Sequence, residues 1–331
     1  MFVLGVESSC DETSVAITKD GKQVLANVVL SQIKTHQSFG GVVPEIASRE
    51  HVKGISVVFE EALTQAELSP ADIDLVSVTQ GPGLIGSLLV GINAAKAFAF
   101  AHDIPIVGIH HIAGHIYANQ VESTMEFPLI ALVVSGGHTE LILMRDHYTF
   151  EKLGETQDDA VGEAYDKVAR VLKLGYPGGP AIDKLAKEGD AHAYPMPRIQ
   201  TARPYDFSYS GLKSHVINTV NRLKMKGIPI NKADLAASFQ RAAVAHLIDT
   251  SKKALEAHDA KMFIVAGGVA ANTHLRSEVA RVFADIPTSI PAFKYCTDNA
   301  AMMSIAGYHY YQKYSKADTM DFNGYSRLSL Q

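Results

Sequence analysis

FVLGVESSCDETSVAI (Phe2–Ile17) and LIALVVSGGHTELILM (Leu129–Met144) read as one device used twice. In each, two apolar and β-branched runs flank a short polar turn, the pattern of strand, tight turn, strand. The first copy pairs Phe2–Glu7 with Thr13–Thr18 across Ser8–Glu12, and the second pairs Leu129–Val134 with Thr139–Met144 across Ser135–His138. The copies lie too far apart for a solenoid repeat. They predict an α/β protein of two related lobes, residues 1–127 and 128–331, each opening with a turn that faces the cleft between them. A length of 331 residues agrees, at about 150 residues per domain.

Asp20-Gly21 marks a hairpin to a third strand at Gln23–Leu30, and Pro44 introduces a helix over Glu45–Ala66. A strand at Leu75–Thr79 runs into the glycine-rich GPGLIGS and a helix ending at Ala101. A strand at Ile104–Ile109 then ends in HHIAGH. The run Leu84–Ala101 is nearly long enough to cross a bilayer, but Ser87, Asn93 and Lys96 within it favour a buried core helix. The second half is helix-rich: Asp159–Leu172, Pro180–Glu188, Gly211–Lys226, Lys232–His258 and Asp298–Lys313. One buried strand, Met262–Ala266, enters GGVAAN and a helix beginning near Asn272. The polar tail beyond Lys313 is expected to pack loosely.

Composition narrows the class. Hydrophobic residues make up 47% of the chain, enough for a large core and too many for disorder. Thirty Lys and Arg stand against 35 Asp and Glu, a net charge of −5 that argues against an autonomous nucleic-acid binder. A local basic face is still open: Arg198, Arg203, Lys213, Arg222, Lys224 and Lys226 are candidates for a phosphate backbone, or else an ordinary solvated face. Cys10 and Cys296 can build neither a disulfide framework nor a four-thiolate zinc site. Glu7 and Asp11 fall where a signal-peptide core would lie, so a cytoplasmic protein without a membrane anchor is expected.

Glycine-rich turns close several apolar strands: Gly81/Gly83/Gly86, Gly136/Gly137, Gly178/Gly179 and Gly267/Gly268. Such turns let backbone amides approach a phosphate. None fits the P-loop or the dinucleotide fingerprint, yet four together point to one nucleotide or phosphate cleft. In HHIAGH, His111 and His115 share one helix face and suit a divalent metal, with Asp298 of CTDNAAM as the candidate third ligand. The plainer alternative is two partly exposed helical histidines. Ile112 stands where HExxH requires its glutamate, which counts against a peptidase. In DDAVGEAYDKVAR, Asp166 is either a substrate acceptor or a member of a salt-bridged face, with i, i+4 pairs Glu163–Lys167 and Asp166–Arg170. Asp183 follows a Gly-Gly-Pro helix start, and Asn272 is either an N-cap or an amide donor. Asp11-Glu12 either caps local amides or holds a metal-bound phosphate.

The motifs ESSCDETSVAI, GPGLIGSLLVG, HHIAGH, VSGGHTEL, GETQDDAVGEAYDKVAR, PGGPAID, SYSGLK, ASFQRAA, GGVAAN and CTDNAAM, in this order, resemble the TsaD family of tRNA N6-adenosine threonylcarbamoyltransferases, in its bacterial form. The chain departs from the family only where Met303-Ser304 replace a more usual Ile-Ala. The resemblance implies the two-lobed actin-like ATPase fold, with mixed sheets flanked by helices and a C-terminal helix packing back on the first lobe. It implies metal ligands at His111, His115 and Asp298, with Fe(2+) favoured and Zn(2+) compatible. Contacts to threonylcarbamoyl-AMP would fall to Val134, Ser135, Gly136, Gly137, His138, Asp166, Gly179, Asp183 and Asn272. The activity implied is transfer of the threonylcarbamoyl group to N6 of adenosine 37 in tRNAs that read codons beginning with adenine, with AMP released. The implied partners are tRNA, TsaB and the ATPase TsaE, with a separate synthase supplying the adenylate. A small-molecule kinase on the same fold is the alternative.

Overall fold

The computed structural model describes residues Met1–Leu330. A first sheet comprises β1 (Phe2–Glu7), β2 (Glu12–Lys19), β3 (Gln23–Ser31), β4 (Leu75–Gly81) and β5 (Ile106–His110). Its order is β3-β2-β1-β4-β5, antiparallel from β3 to β1 and parallel from β1 to β5. Helices α1 (Ile33–Gln37), α2 (Pro44–Ala66), α3 (Ile85–His102) and α4 (His111–Tyr117) fall between and after these strands. The second sheet comprises β6 (Leu129–Val134), β7 (Thr139–Asp146), β8 (Thr149–Glu155), β9 (Met262–Ala266) and β10 (Thr288–Ser289), in the order β10-β9-β6-β7-β8. Around it come α5 (Val161–Leu172), α6 (Gly178–Ala186), α7 (Ser210–Met225), α8 (Lys232–His258) and α9 (Thr273–Val282), before a last helix, α10 (Ala300–Tyr314).

The two sheets have one topology. β6–β7 is antiparallel while β6–β9 and β9–β10 are parallel, so β8-β7-β6-β9-β10 repeats β3-β2-β1-β4-β5. The central strands are buried along nearly their whole length, as the parallel centre of a covered sheet must be. The duplicated strand-turn-strand is thus the first antiparallel pair of each sheet. β8 has no counterpart in the sequence reading, because its TFEKLGE has only one buried residue, Gly154, and is too polar to stand out as a strand.

Contacts divide the chain into two compact units: Met1–Met125 with Asp146–Phe150 and the chain from Pro291 onward, and Glu126–Arg145 with Glu151–Ile290. The boundary drawn from the sequence at 127/128 lies near the first cut, while the chain beyond Pro291 counts with the first unit.

In the first unit, Leu4, Val6, Val15 and Ile17 pack with Val58 and Phe59 of α2 and with Leu88, Ile92 and Ala95 of α3. Only one face of α3, through Ser87, Leu88, Gly91, Ile92, Ala95 and Ala99, is buried, and Phe100 on the other side is 80% exposed. The expected buried core helix is therefore buried along one face only, and its other face is also largely apolar. It is the one helix among the described residues long and apolar enough to cross a membrane.

Across the sheet, α10 lies directly on β1 and β4. A Cβ on Gly5 would strike the Ala300 carbonyl and the Ser304 backbone, and one on Gly307 would strike Ser77. Ser77 Oγ donates to Met303 O at 2.6 Å, fixing the height of the helix over β4.

The tail after α10 does not pack loosely. Asp318 N donates to Ile106 O at 2.8 Å, Tyr325 N to Gln80 O at 2.9 Å, and Gly108 N to Asp318 Oδ2 at 2.8 Å. Its polar composition hid a segment whose hydrogen bonds satisfy the edge strand β5 and the end of β4.

Two outcomes follow. Gly5→Ala should destabilise the protein by about 3 kcal/mol, at the upper end of overpacking costs because the obstacle is helix backbone, measured by denaturant unfolding. His309 stacks 4.4 Å from His147 and 5.0 Å from Tyr117. Burial and then His147 push its pKa down to about 4. An unfolded chain, with His near 6.5, takes that proton first, so stability should fall as pH drops from about 6.5 to about 4, by up to about 3 kcal/mol. His309→Phe should flatten this acid limb in melting curves taken across that range; an unchanged limb would refute the assignment.

Candidate metal centre and nucleotide turns

β5 ends at His110 and α4 starts at His111, so HHIAGH turns from strand to helix in one step. His110 Nδ1 accepts from Ile112 N at 3.1 Å, capping the helix. His111 and His115 then stand one turn apart with ring centroids 4.6 Å apart, edge to face. They are 7% and 1% exposed, which removes the alternative of two partly exposed histidines. Asp298, just ahead of the Asn299 cap of α10, completes the group: its Oδ1 lies 3.1 Å from His115 Nε2 and 3.6 Å from His111 Nε2.

One ligand atom from each of the three lies within 4.8 Å of the others. Donors at about 2.1 Å from one ion and 90–110° apart are separated by about 3.0–3.5 Å, which Asp298 Oδ1 meets toward His115 at 3.1 Å and approaches toward His111 at 3.6 Å. Neither ring nitrogen of buried His115 makes a hydrogen bond in the protein, and only Nε2 has a charged neighbour, Asp298. A buried imidazole left this way costs free energy unless something else binds it. Two imidazoles and a carboxylate are a donor set for a first-row divalent ion. The residues fit a metal.

The charge around them also calls for a cation. Glu7, fully buried at the end of β1, receives Ser9 N at 2.5 Å and Thr79 Oγ1 at 2.5 Å, and its Oε2 lies 3.3 Å from His111 Nδ1. Burial disfavours the Glu7 charge, yet His111 holds its carboxyl below the usual carboxylate range. Burial likewise opposes a proton on His111, but Asp298 and Glu7 outweigh it and hold the imidazolium up to about 9. Burial, then Asp298 and Asp11, push Glu12 well above its ordinary value. The same burial and neighbours raise the Cys10 thiol, which makes it unreactive. Glu7 was read from the sequence only as a strand end and as a charge that counts against a signal peptide. A carboxylate closing an otherwise apolar central strand was the signal that could have found it.

In the second unit, the turn after β6 is closed by Ser135. Its Oγ accepts from Gly137 N at 3.3 Å and His138 N at 3.0 Å, so those amides serve the turn itself. Side-chain space beyond Gly136, Gly137 and Gly179 is open. A Cβ on Gly267, at the end of β9, would strike the Val134 carbonyl. The ends of parallel neighbours β6 and β9 thus meet in glycine backbone, the place where α/β sheets bind ligands.

Helix starts cluster with these strand ends. Asp166 on α5 accepts from Gly178 N, the first residue of α6, at 2.7 Å, and burial raises its pKa. Asp183 on α6 accepts from Thr273 N at 3.2 Å and Thr273 Oγ1 at 2.9 Å, at the start of α9. Asn272 Oδ1 caps α9 through Leu275 N at 2.9 Å while its Nδ2 donates to Gln240 Oε1 at 2.8 Å. Of the salt-bridged face expected on α5, Lys167 reaches Glu163 and Asp159, each at 2.8 Å.

The profile of TsaD, tRNA N6-adenosine threonylcarbamoyltransferase, matches residues 23–305. The chain belongs to the TsaD family. It is 56% identical over 333 residues to the tRNA N6-adenosine threonylcarbamoyltransferase of Staphylococcus carnosus, covering 100% of this chain and 96% of that one. The enzyme of that name from Staphylococcus aureus strain bovine RF122 / ET3-1 is 54% identical over 334 residues, covering 100% of this chain and 97% of its own length. Among solved structures, full-length HypF in its phosphate- and nucleotide-bound form aligns with TM-score 0.61 at 13% identity, over 94% of this chain and 55% of that one. Component A of the Acidaminococcus fermentans (R)-2-hydroxyglutaryl-CoA dehydratase aligns with TM-score 0.56 at 16% identity, over 96% and 100%. These likenesses show the fold: this TsaD family member has the actin-like ATPase fold, as its duplicated mixed sheets indicate.

The purified protein should take up one divalent ion, and His115→Ala and Asp298→Ala should each lose it, read by elemental analysis after dialysis. Glu7→Gln keeps the shape but loosens the grip on His111, and should weaken metal affinity about 10–100-fold in a competition titration with a chelating dye. Equal metal content in all four proteins would exclude this centre.

Proposed function

We propose that this chain transfers a threonylcarbamoyl group from threonylcarbamoyl-AMP to N6 of adenosine 37 in tRNAs that read codons beginning with adenine. The observation that carries the reading is the convergence of buried His111 and His115 on Asp298, in a chain of the TsaD family. The amine attacks the carbamoyl carbon, an N–C bond forms, the C–O bond to the phosphate breaks, AMP leaves, and N6 gives up one proton. An exocyclic amine is a weak nucleophile, so fixed orientation of both reactants is the main help the protein can give.

His111, His115 and Asp298 would hold Fe(2+), with Zn(2+) as the compatible second ion, and Glu7 would keep His111 in one orientation through Nδ1. When bound, the ion supplies Lewis-acid polarisation and a fixed anchor for the adenylate. The open backbone at Gly136, Gly137 and Gly179 supports a close approach of the adenylate there, with Val134, Ser135 and His138 framing the turn. Asp166, Asp183 and Asn272 are each immobilised by a helix start, so they meet hydroxyl or amine groups of the substrate without reorganising. Adenosine 37 must leave its stack to be reached, as bases do in other modifying enzymes.

A net charge of −5 favours action within an assembly, and we assign TsaB and TsaE as its partners, with a separate synthase providing the adenylate in the cytoplasm.

The test is incorporation of labelled threonine into an ANN-decoding tRNA by the chain, its partners, the synthase, ATP and bicarbonate. Wild type should label tRNA, and His115→Ala should drop the rate by about two orders of magnitude or more, the cost of losing a transition-state interaction worth about 3 kcal/mol. Label undiminished in His115→Ala would retain the transferase and remove the metal from it. No label with folded partners would favour the kinase alternative.

A further inference from the structure

The basic residues singled out in the sequence separate in the structure. Lys213 lies 2.5 Å from Asp159 Oδ2 and is neutralised there, while Arg222, Lys224 and Lys226 stand exposed at the end of α7. Arg198 and Arg203 belong to the irregular segment Met196–Pro204, which lies along α8. Segment and helix enclose an open recess of about 800 Å³. Into it come two more cations that the sequence reading passed over, Arg241 and Lys253, together with His246 and a single carboxylate, Asp249.

The recess is built rather than incidental. Arg203 Nε donates to Asp206 Oδ2 at 2.7 Å, and fully buried Asp206 is itself held by Gln157 Nε2 at 2.8 Å and Glu155 N at 3.2 Å. Arg241 Nε donates to Ala191 O at 2.9 Å, which aims its guanidinium. His246 stands edge-on to Phe207 and Tyr209, with ring centroids 5.5 and 5.8 Å away, and its Nε2 is buried without a partner in the protein. Arg241, Asp249 and Lys253 recur at multiples of four along α8, so the charged row extends about 18 Å at 1.5 Å per residue. Ala242 and Ala245 between them keep the floor low. With Arg203 paired to Asp206, three cations, Arg198, Arg241 and Lys253, stand against the one carboxylate Asp249, and the two guanidiniums among them match phosphodiester oxygens. A row of this length exceeds a single phosphate and suits a polynucleotide backbone.

We propose that this recess of the second unit binds backbone phosphates of the RNA substrate, supplying the local attraction that the acidic chain as a whole lacks. The inference rests on the function proposed above and adds to it the surface that holds the tRNA.

The test is tRNA binding by the full chain in its assembled complex, followed by fluorescence anisotropy across a salt series. Arg198→Ala and Lys253→Ala should each weaken binding up to about fivefold. Each should also lower the slope of log affinity against log salt by about one, with melting temperature unchanged. Arg198→Lys should restore the slope, because it keeps the charge. The exposed pair Arg222→Ala/Lys224→Ala on α7 should bind as wild type does. Wild-type affinity and slope in the Arg198→Ala/Lys253→Ala double variant would overturn the assignment, as would an equal loss in the α7 pair. A wild-type complex that labels tRNA while the double variant binds normally would sink the recess alone. A wild-type complex that neither binds nor labels tRNA would sink the transferase reading and the recess with it.

Discussion

The absence of a side chain at Gly5 governs the first unit. β1 is the central strand, and α10 can rest on it only because no Cβ stands between the strand and the carbonyl of Ala300. That contact fixes the N-terminal end of α10, and Asp298 sits two residues ahead of the helix. α4 is fixed separately, because it grows out of β5 through the His110 cap. A site that needs three donors from residues nearly two hundred positions apart is thus produced by a strand-helix contact and a strand-to-helix turn. Both belong to the rigid centre of the unit, which is where side chains can be held to a few tenths of an ångström.

Electrostatics explains why such a site carries function rather than stability. Glu7 and His111 are buried together, and burial alone would neutralise both. They remain charged because each faces the other and Asp298 faces the histidine. Ion pairs buried in this way seldom repay their desolvation compared with an apolar pair of equal volume. His115 adds a second cost, a buried Nδ1 that receives no hydrogen bond and an Nε2 whose one neighbour is the Asp298 carboxylate. Sequences retain such arrangements where chemistry needs them, and the local excess of carboxylates from Glu7, Asp11, Glu12 and Asp298 defines that chemistry as cation binding.

Local patterns carried the parts of this structure that depend on neighbours in sequence. The strand-turn-strand copies were legible because apolar β-branched runs and turn residues are local, and they proved to be the first antiparallel pair of each sheet. The His111/His115 pair was legible from its helical spacing. Glu7 was not, because nothing local separates a functional carboxylate from a polar strand end; the distinction lies in Thr79 and His111, which tertiary structure brings to it. The tail was misread for the same reason: its partners Gln80, Ile106 and Gly108 lie far upstream. Asp166 was read as a substrate acceptor or a member of a salt-bridged face and Asp183 as part of a helix start; their contacts with Gly178 and Thr273, at the starts of later helices, depend on tertiary structure.

The same logic reconciles an acidic protein with a polyanionic substrate. Net charge sets the distant field, which salt screens within about 8 Å at physiological ionic strength. Contact is decided by which cations lack an internal anion. Asp159 holds both Lys167 and Lys213, so the most basic-looking stretch of sequence loses part of its charge to the fold. Arg203 is likewise held by Asp206, but the recess along α8 gains charge that no run of sequence displays, since Arg198 comes from an irregular segment while Arg241 and Lys253 come from a helix rich in small apolar residues. Folding redistributes the basic residues, moving the positive surface from where they are dense in sequence to where they converge in space.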